Sequence, residues 1–131
     1  MDTKLINSQL ISRKDVRVWF WDGEREYKGR CVETAENGIV FRAALKTPGA
    51  GTLVDASAAL PGIKRLLEGK KVMVELSSPK VKGEVKLRFL KIGPVAGEAG
   101  LFEVEALYET PPDPRFLKLL FEPVVVRKPR G

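Results

Sequence analysis

The sequence contains no histidine and only one cysteine, Cys31. Without histidine, the usual zinc sites and the Ser-His-Asp and Cys-His nucleophile pairs cannot be built. A single cysteine cannot form a disulfide within the chain, and its position in the middle of a predicted strand favours an inert, buried thiol. We therefore expect a non-enzymatic protein with no cofactor and no metal site.

Long apolar runs are missing as well. No window approaches the roughly 18 consecutive apolar residues that a membrane helix needs, and 31% of the residues are charged. The charged start, apolar stretch and cleavage site of a signal peptide are not found among the first residues, which turn polar again at Asn7 and Ser8. These features predict a cytoplasmic protein without membrane insertion, and 131 residues are enough for one domain.

The net charge of +6 is unevenly distributed along the chain. Residues 1–17 carry four basic against two acidic side chains, and residues 122–131 carry three against one. Excess charge in terminal arms suits a small anionic ligand better than a duplex laid across a face, so nucleic acid is not the expected partner. Basic ends that only aid solubility fit the same composition.

Strand signals dominate the body of the chain. Residues 16–21 are β-branched and aromatic and precede Asp22-Gly23, a dipeptide typical of a two-residue hairpin. A return strand from Tyr27 to Thr34, a turn at residues 36–38 and a strand at Ile39 to Phe41 complete a meander. Alternating patterns predict three later strands at residues 71–76, 83–92 and 101–108.

The other segments contain fewer strand signals. Residues 43–62 are rich in Ala, Gly, Pro and Thr and predict a long loop, followed by one helical turn at residues 63–67. A C-terminal helix is capped by Asp113 and has Pro114 at its first position. Its five large apolar side chains must be buried, either on an end of the same barrel, which we favour, or against a second chain.

Six strands with tight connections, no crossover helix and one closing helix predict an all-β fold, a six-stranded antiparallel barrel with one C-terminal helix. We divide the chain into an N-terminal arm (1–12), the barrel with its closing helix (13–121, helix 113–121) and a basic tail (122–131). Within the last segment, residues 124–126 are expected to form an edge strand or to be part of a flexible tail. Small barrels are filled with side chains, so a ligand is expected on the outside or at the rim. We assign Trp19 and Trp21 to a buried or half-buried position.

Two segments carry candidate binding chemistry. Arg13 and Arg17 stand four residues apart just before the first long strand, and guanidinium groups can clamp a phosphate or bind the O6/N7 edge of guanine. Residues 33–38, ETAENG, form the tip of the second hairpin. Because this hairpin directly follows the first strand, its tip is expected near the arginines.

These segments resemble the two motifs of the PilZ family, small barrels of bacterial signalling that sense cyclic di-GMP. The family has an RxxxR arm before its first strand and a [D/N]xSxxG turn after its second. Arg13 and Arg17 match the arm, and Gly38 matches the glycine of the turn, but Glu33 replaces Asp or Asn and Ala35 replaces Ser. The resemblance spans residues 12 to about 121. It implies a PilZ-like β-barrel with a ligand site made of Arg13, Arg17, Glu33, Asn37 and Gly38.

The two departures imply weakened nucleotide binding. Glu33 still accepts hydrogen bonds but reaches farther by one methylene, and Ala35 has no hydroxyl; together these changes cost roughly one and a half to three decades of affinity. Two alternatives stay open. One is a degenerate PilZ-like adaptor that binds another protein and not the nucleotide, and the other is a small-barrel RNA-binding module that uses Trp19, Trp21 and the basic ends.

Overall fold

Seven strands and two helices make up the part of the chain that the structure describes. The structure is a computed structural model, and it describes residues 4–11, 15–46, 56–98 and 100–121. The elements are β1 (Gln9–Leu10), β2 (Arg17–Trp21), β3 (Glu26–Thr34), β4 (Gly38–Lys46), α1 (Ala56–Leu67), β5 (Lys71–Ser77), β6 (Lys82–Pro94), β7 (Phe102–Tyr108) and α2 (Pro114–Phe121). The predicted tail at 122–131, with its strand at 124–126, lies outside the described residues.

The strands form a closed, six-stranded antiparallel barrel, which confirms the predicted fold class. Two meanders, β2-β3-β4 and β5-β6-β7, are joined by the pairs β2–β5 and β4–β7. The short strand β1 is extra, and pairs with the end of β3 beyond the part that β2 covers. Because the barrel is closed, each of its strands has one face inside and one face in solvent.

Aromatic rings fill the interior. Phe20 stacks on Tyr27 with ring centroids 4.6 Å apart, and it makes edge contacts with Phe41 and Phe89. All four rings are fully buried. Since these side chains occupy the inside of the barrel, the structure leaves the outer face and the rims for a ligand.

The prediction of a loop over residues 43–62 was wrong at both ends. β4 continues to Lys46 with Ala43 and Leu45 buried, and α1 begins at Ala56 and passes through Pro61. Ile63 and Leu67 of this helix are buried in the core, and tertiary packing of one face supports a helix that contains a proline. The helix α1 therefore connects the two meanders, where no crossover helix was expected; residues 47–55 lie outside the described residues.

The C-terminal helix has the predicted start. Asp113 accepts a hydrogen bond from the backbone N–H of Arg115 at 2.8 Å, and Pro114 is the first helical residue. Leu120 is fully buried in the barrel core, and Phe116 and Phe121 pack against that core. The helix thus covers its own barrel, but Leu119 is 40% exposed, so the prediction that all five large apolar side chains are buried was wrong for Leu119. Neither of the two described helices is long and apolar enough to cross a membrane.

The first hairpin differs from its prediction in length. Trp21 pairs with Glu26, so the connection contains four residues where a two-residue turn was expected. Gly23 has the positive φ of 103° that the dipeptide indicated. The carboxylate of Asp22 accepts hydrogen bonds from the backbone N–H groups of Glu24 and Arg25, and this local bonding stabilises the longer loop.

Candidate functional site

Arg17 is the first residue of β2, and its side chain is exposed on the outside of the barrel because the adjacent Val18 points inward. Arg30 of β3 lies directly opposite Arg17. Arg30 is in turn opposite Arg42 of β4. Three arginines (Arg17, Arg30 and Arg42) therefore form one row across three neighbouring strands, here named the arginine row.

A β-bulge in β3 produces this alignment. Next to the turn, Glu33 pairs with Val40, and this register alone would place Arg30 opposite Ala43. An extra residue immediately before Glu33 shifts the pairing by one, so that Arg30 lies opposite Arg42. Because Ala43 belongs to the buried core, only the shifted register brings two outward-facing arginines together.

The arginine row lines a cleft of about 650 Å³ on the outer face. This volume is within the range of small-molecule sites. Lys28 adds a fourth cation to the lining, Glu26 and Glu75 supply two carboxylates, and Trp19 provides aromatic surface. The cleft therefore combines a net positive charge with a flat apolar ring, the two features that a nucleotide needs from a protein.

Charge neutralisation along the row is uneven. The guanidinium of Arg42 lies 3.2 Å from Glu103 and 3.8 Å from Glu98. Arg17 and Arg30 form no ion pair within the described residues. Like charges directly opposite each other destabilise an antiparallel pair. An anion placed between Arg17 and Arg30 would remove this repulsion and gain charge-assisted hydrogen bonds.

Trp19 and Trp21 are not core residues, and their assignment to a buried or half-buried core position was wrong. Their exposed fractions are 36% and 58%, and both side chains are on the outer face. Val18 and Phe20 occupy the inward positions of β2, so the residues that alternate with them must point outward. The indole N–H of Trp19 donates a hydrogen bond to the carboxylate of Glu26.

The predicted turn residues have structural contacts of their own. The side-chain oxygen of Asn37 accepts a hydrogen bond from the N–H of Ile6 at 2.8 Å, and its amide nitrogen donates to the carbonyl of Lys4 at 2.9 Å. Gly38 lies so close to β7 that a Cβ there would be 2.0 Å from a backbone oxygen of that strand. Asn37 therefore holds the N-terminal segment, and Gly38 permits the close approach of β4 and β7.

The structure brings part of the predicted site together. Glu33 lies opposite Val40, which is two residues or about 7 Å along β4 from Arg42, and so it lies on the same outer face as Arg17. Glu33 does not line the cleft, and neither do the other two predicted turn residues. Arg13 lies outside the described residues.

Sequence reasoning missed Arg30 and Arg42. The signal for Arg30 was present, because Lys28 and Arg30 alternate with the apolar Tyr27 and Cys31 and must therefore face outward. The alignment with Arg42 had no such signal, since it depends on the bulge.

Cys31 is 1% exposed, and burial raises the pKa of its thiol. A thiol with a raised pKa stays protonated and is a poor nucleophile. Across the described part of the chain, no group of three or more Cys, Asp or Glu side chains is arranged to hold a metal ion.

Comparisons with known proteins identified no relative of this chain. No family model matches the chain. No curated protein and no solved structure was found to be similar to it. The resemblance to the PilZ family therefore depends on the motif residues quoted above.

Proposed function

We propose that the protein is a non-enzymatic, cytoplasmic signalling module that binds an anionic nucleotide in the outer cleft, and that the nucleotide is cyclic di-GMP. The observation that carries this proposal is the arginine row, in which Arg17 and Arg30 face each other and neither forms an ion pair with a carboxylate of the described residues. Guanidinium groups bind phosphate through paired hydrogen bonds, so a ligand phosphate is the natural counterion of this row. The identity of the nucleotide comes from the PilZ-like motifs.

The site differs from the family pattern in which residues contribute. Arg30, Arg42 and Lys28 add positive charge to the cleft, whereas Ala35 has no hydroxyl to offer a base. Phosphate contacts are thereby strengthened and one base contact is lost. We expect measurable but weak binding that decreases as the salt concentration rises, because exposed charge pairs are screened.

Isothermal titration calorimetry with cyclic di-GMP tests the proposal. Arg17→Ala is expected to abolish detectable binding, since it removes a charge and a planar donor fork. Arg65→Ala is the matched control, because Arg65 is exposed on α1 and does not line the cleft. Binding that survives Arg17→Ala and Arg30→Ala unchanged would exclude the cleft. Failure of the wild-type protein to bind the nucleotide would favour the adaptor alternative.

Restoring the family turn gives a second test. The double substitution Glu33→Asp and Ala35→Ser is expected to tighten cyclic di-GMP binding about ten-fold, since one hydroxyl contact is worth on the order of 1 kcal/mol. Unchanged affinity in a variant with an unchanged circular dichroism spectrum would mean that the turn does not contact the ligand. The cleft would then be the whole site.

A single-stranded RNA is the second candidate ligand, and the exposure of Trp19 and Trp21 favours it. Both rings lie on the strand that carries Arg17, and Lys28 is directly opposite Trp19. Base stacking on exposed aromatic rings next to cations is how sequence-tolerant proteins bind single strands. Competition decides between the two ligands: an oligonucleotide that binds more tightly than cyclic di-GMP, and whose affinity falls more steeply as the salt concentration rises, would favour RNA.

A further inference from the structure

We propose that Trp19 and Glu75 form a base-recognition subsite in the outer cleft, in which a guanine stacks on the indole of Trp19 and donates hydrogen bonds to the carboxylate of Glu75. The inference rests on the proposed function, because the arginine row would hold the phosphate of the same ligand. It assigns one base contact to β2 and β5; cyclic di-GMP carries two guanines, and the turn at residues 33–38 would contact the other.

The indole of Trp19 is prepared for stacking. Its N–H already donates to the carboxylate of Glu26, so the polar edge of the ring has a partner inside the protein. The ring is 36% exposed and lines the cleft. A ring held in this way keeps its orientation without a ligand, and what it can still offer to one is an aromatic face.

Trp19 is also well placed relative to the phosphate-binding charges. It follows Arg17 by two residues on the same face of β2, a separation of about 7 Å. Lys28 lies directly opposite it on β3. In a nucleotide the base and the phosphate are joined through one sugar, so a phosphate on the arginine row leaves its base near Trp19.

Glu75 gives the subsite its selectivity. It lies directly opposite Trp19 in the β2–β5 pair, which places the two Cβ atoms about 5 Å apart. One of its oxygens, Oε1, is 3.4 Å from the exposed ammonium of Lys82, and the side chain lines the cleft. An ionised carboxylate only accepts hydrogen bonds. The pairing edge of guanine presents adjacent N–H donors, whereas that of adenine presents an acceptor beside its amino group, so Glu75 favours guanine.

Calorimetric titrations of the full chain test the subsite with three probes: cyclic di-GMP, cyclic di-AMP and inorganic pyrophosphate. Trp19→Leu is expected to weaken cyclic di-GMP binding about ten-fold and to leave pyrophosphate binding unchanged, because stacking involves only the base. Glu75→Gln is expected to reduce the preference for cyclic di-GMP over cyclic di-AMP at least five-fold. Trp21→Leu is the matched control, since Trp21 is exposed on the same strand but does not line the cleft.

Fluorescence provides an independent measurement. In a Trp21→Phe background Trp19 is the only tryptophan. Stacking of a guanine is expected to quench its fluorescence, whereas pyrophosphate is expected to leave the fluorescence unchanged. If wild-type binding depends on Arg17 but is unaffected by Trp19→Leu, the subsite is wrong and the proposed function stands. If the wild-type protein binds none of the three probes, both are overturned.

Discussion

Replacing Arg30 by Gln tests whether the arginine row strains the free protein. Arg30 has a cationic neighbour on each side, Arg17 on β2 and Arg42 on β4. The charge of Arg42 is offset by Glu103 at 3.2 Å, whereas Arg17 has no ion pair within the described residues. The substitution therefore removes mainly the repulsion between Arg30 and Arg17.

The expected gain is small and has a defined sign. Directly opposed like charges cost an antiparallel pair roughly 0.2–1 kcal/mol, and two unit charges about 6 Å apart in water repel by about 0.7 kcal/mol. Arg30→Gln is thus expected to raise the free energy of unfolding by about 0.5 kcal/mol. In a chain of this size that corresponds to an increase in Tm of about 1–2 °C.

Urea unfolding followed by circular dichroism, at about 0.01 M and 1 M salt, measures the effect. The Debye length falls from about 30 Å to about 3 Å over this range, so the gain should disappear in high salt. Arg30→Lys keeps the charge and is the control. A Gln variant that is no more stable than the Lys variant at low salt would refute the idea that the row is repulsive.

Three further predictions concern stability. Gly38→Ala is expected to cost about 2 kcal/mol or more in urea unfolding, because its Cβ would be 2.0 Å from the backbone oxygen of Ala106. Leu120→Ala is expected to cost about 2–5 kcal/mol in the same assay, since the side chain is fully buried. Tyr27→Phe is expected to cost about 1 kcal/mol at neutral pH and less in acid. Burial opposes ionisation of Asp22, but hydrogen bonds from the Tyr27 hydroxyl and from backbone N–H groups outweigh it and hold the pKa of Asp22 below its ordinary 3.8. The resulting stabilisation is complete above the ordinary pKa and is lost as the pH falls through the lowered pKa. Below that pH the wild-type protein and the Tyr27→Phe variant should have the same stability.

Matched variants and profiles control these measurements. Gly62→Ala meets no atom within 4 Å and is expected to be neutral or stabilising, so equal stability of the two alanine variants would contradict the close approach at Gly38. Leu119→Ala, at a side chain that is 40% exposed, should cost less than about 1 kcal/mol. For Tyr27→Phe, a destabilisation that does not change between pH 7 and pH 3 would show that the hydroxyl acts independently of the Asp22 charge.

Local pattern was sufficient to predict the barrel. Alternation of apolar and charged residues marks β5, β6 and β7 directly, and turn residues mark the ends of β2 and β3. The start of α2 could also be predicted from neighbouring residues, because Asp113 caps the backbone N–H of Arg115 and Pro114 occupies the first helical position. The same local reasoning failed for residues 43–62, where composition typical of a loop concealed the end of β4 and the beginning of α1.

The candidate site depends on information that a local pattern does not contain. Hydrophobicity favoured a buried position for Trp21, but a strand has two faces, and Val18 and Phe20 take the inner one. The arginine row needs the pairing of three strands and one bulge, which follow from packing of the whole barrel. Arg17 and the outward face of Arg30 could be predicted from the local pattern, whereas the alignment of Arg30 with Arg42 could not.

The pairing of β1 with β3 has a consequence for association between chains. The last three residues of β3, 32–34, extend past β2, and their free side is covered by Gln9, Leu10 and the N–H of Ile11. A chain shortened to begin at residue 12 would present this stretch as an open sheet edge, where strands of other molecules can add. Residues 9–11 therefore guard against aggregation, and a tag fused before them needs a linker that leaves their pairing intact.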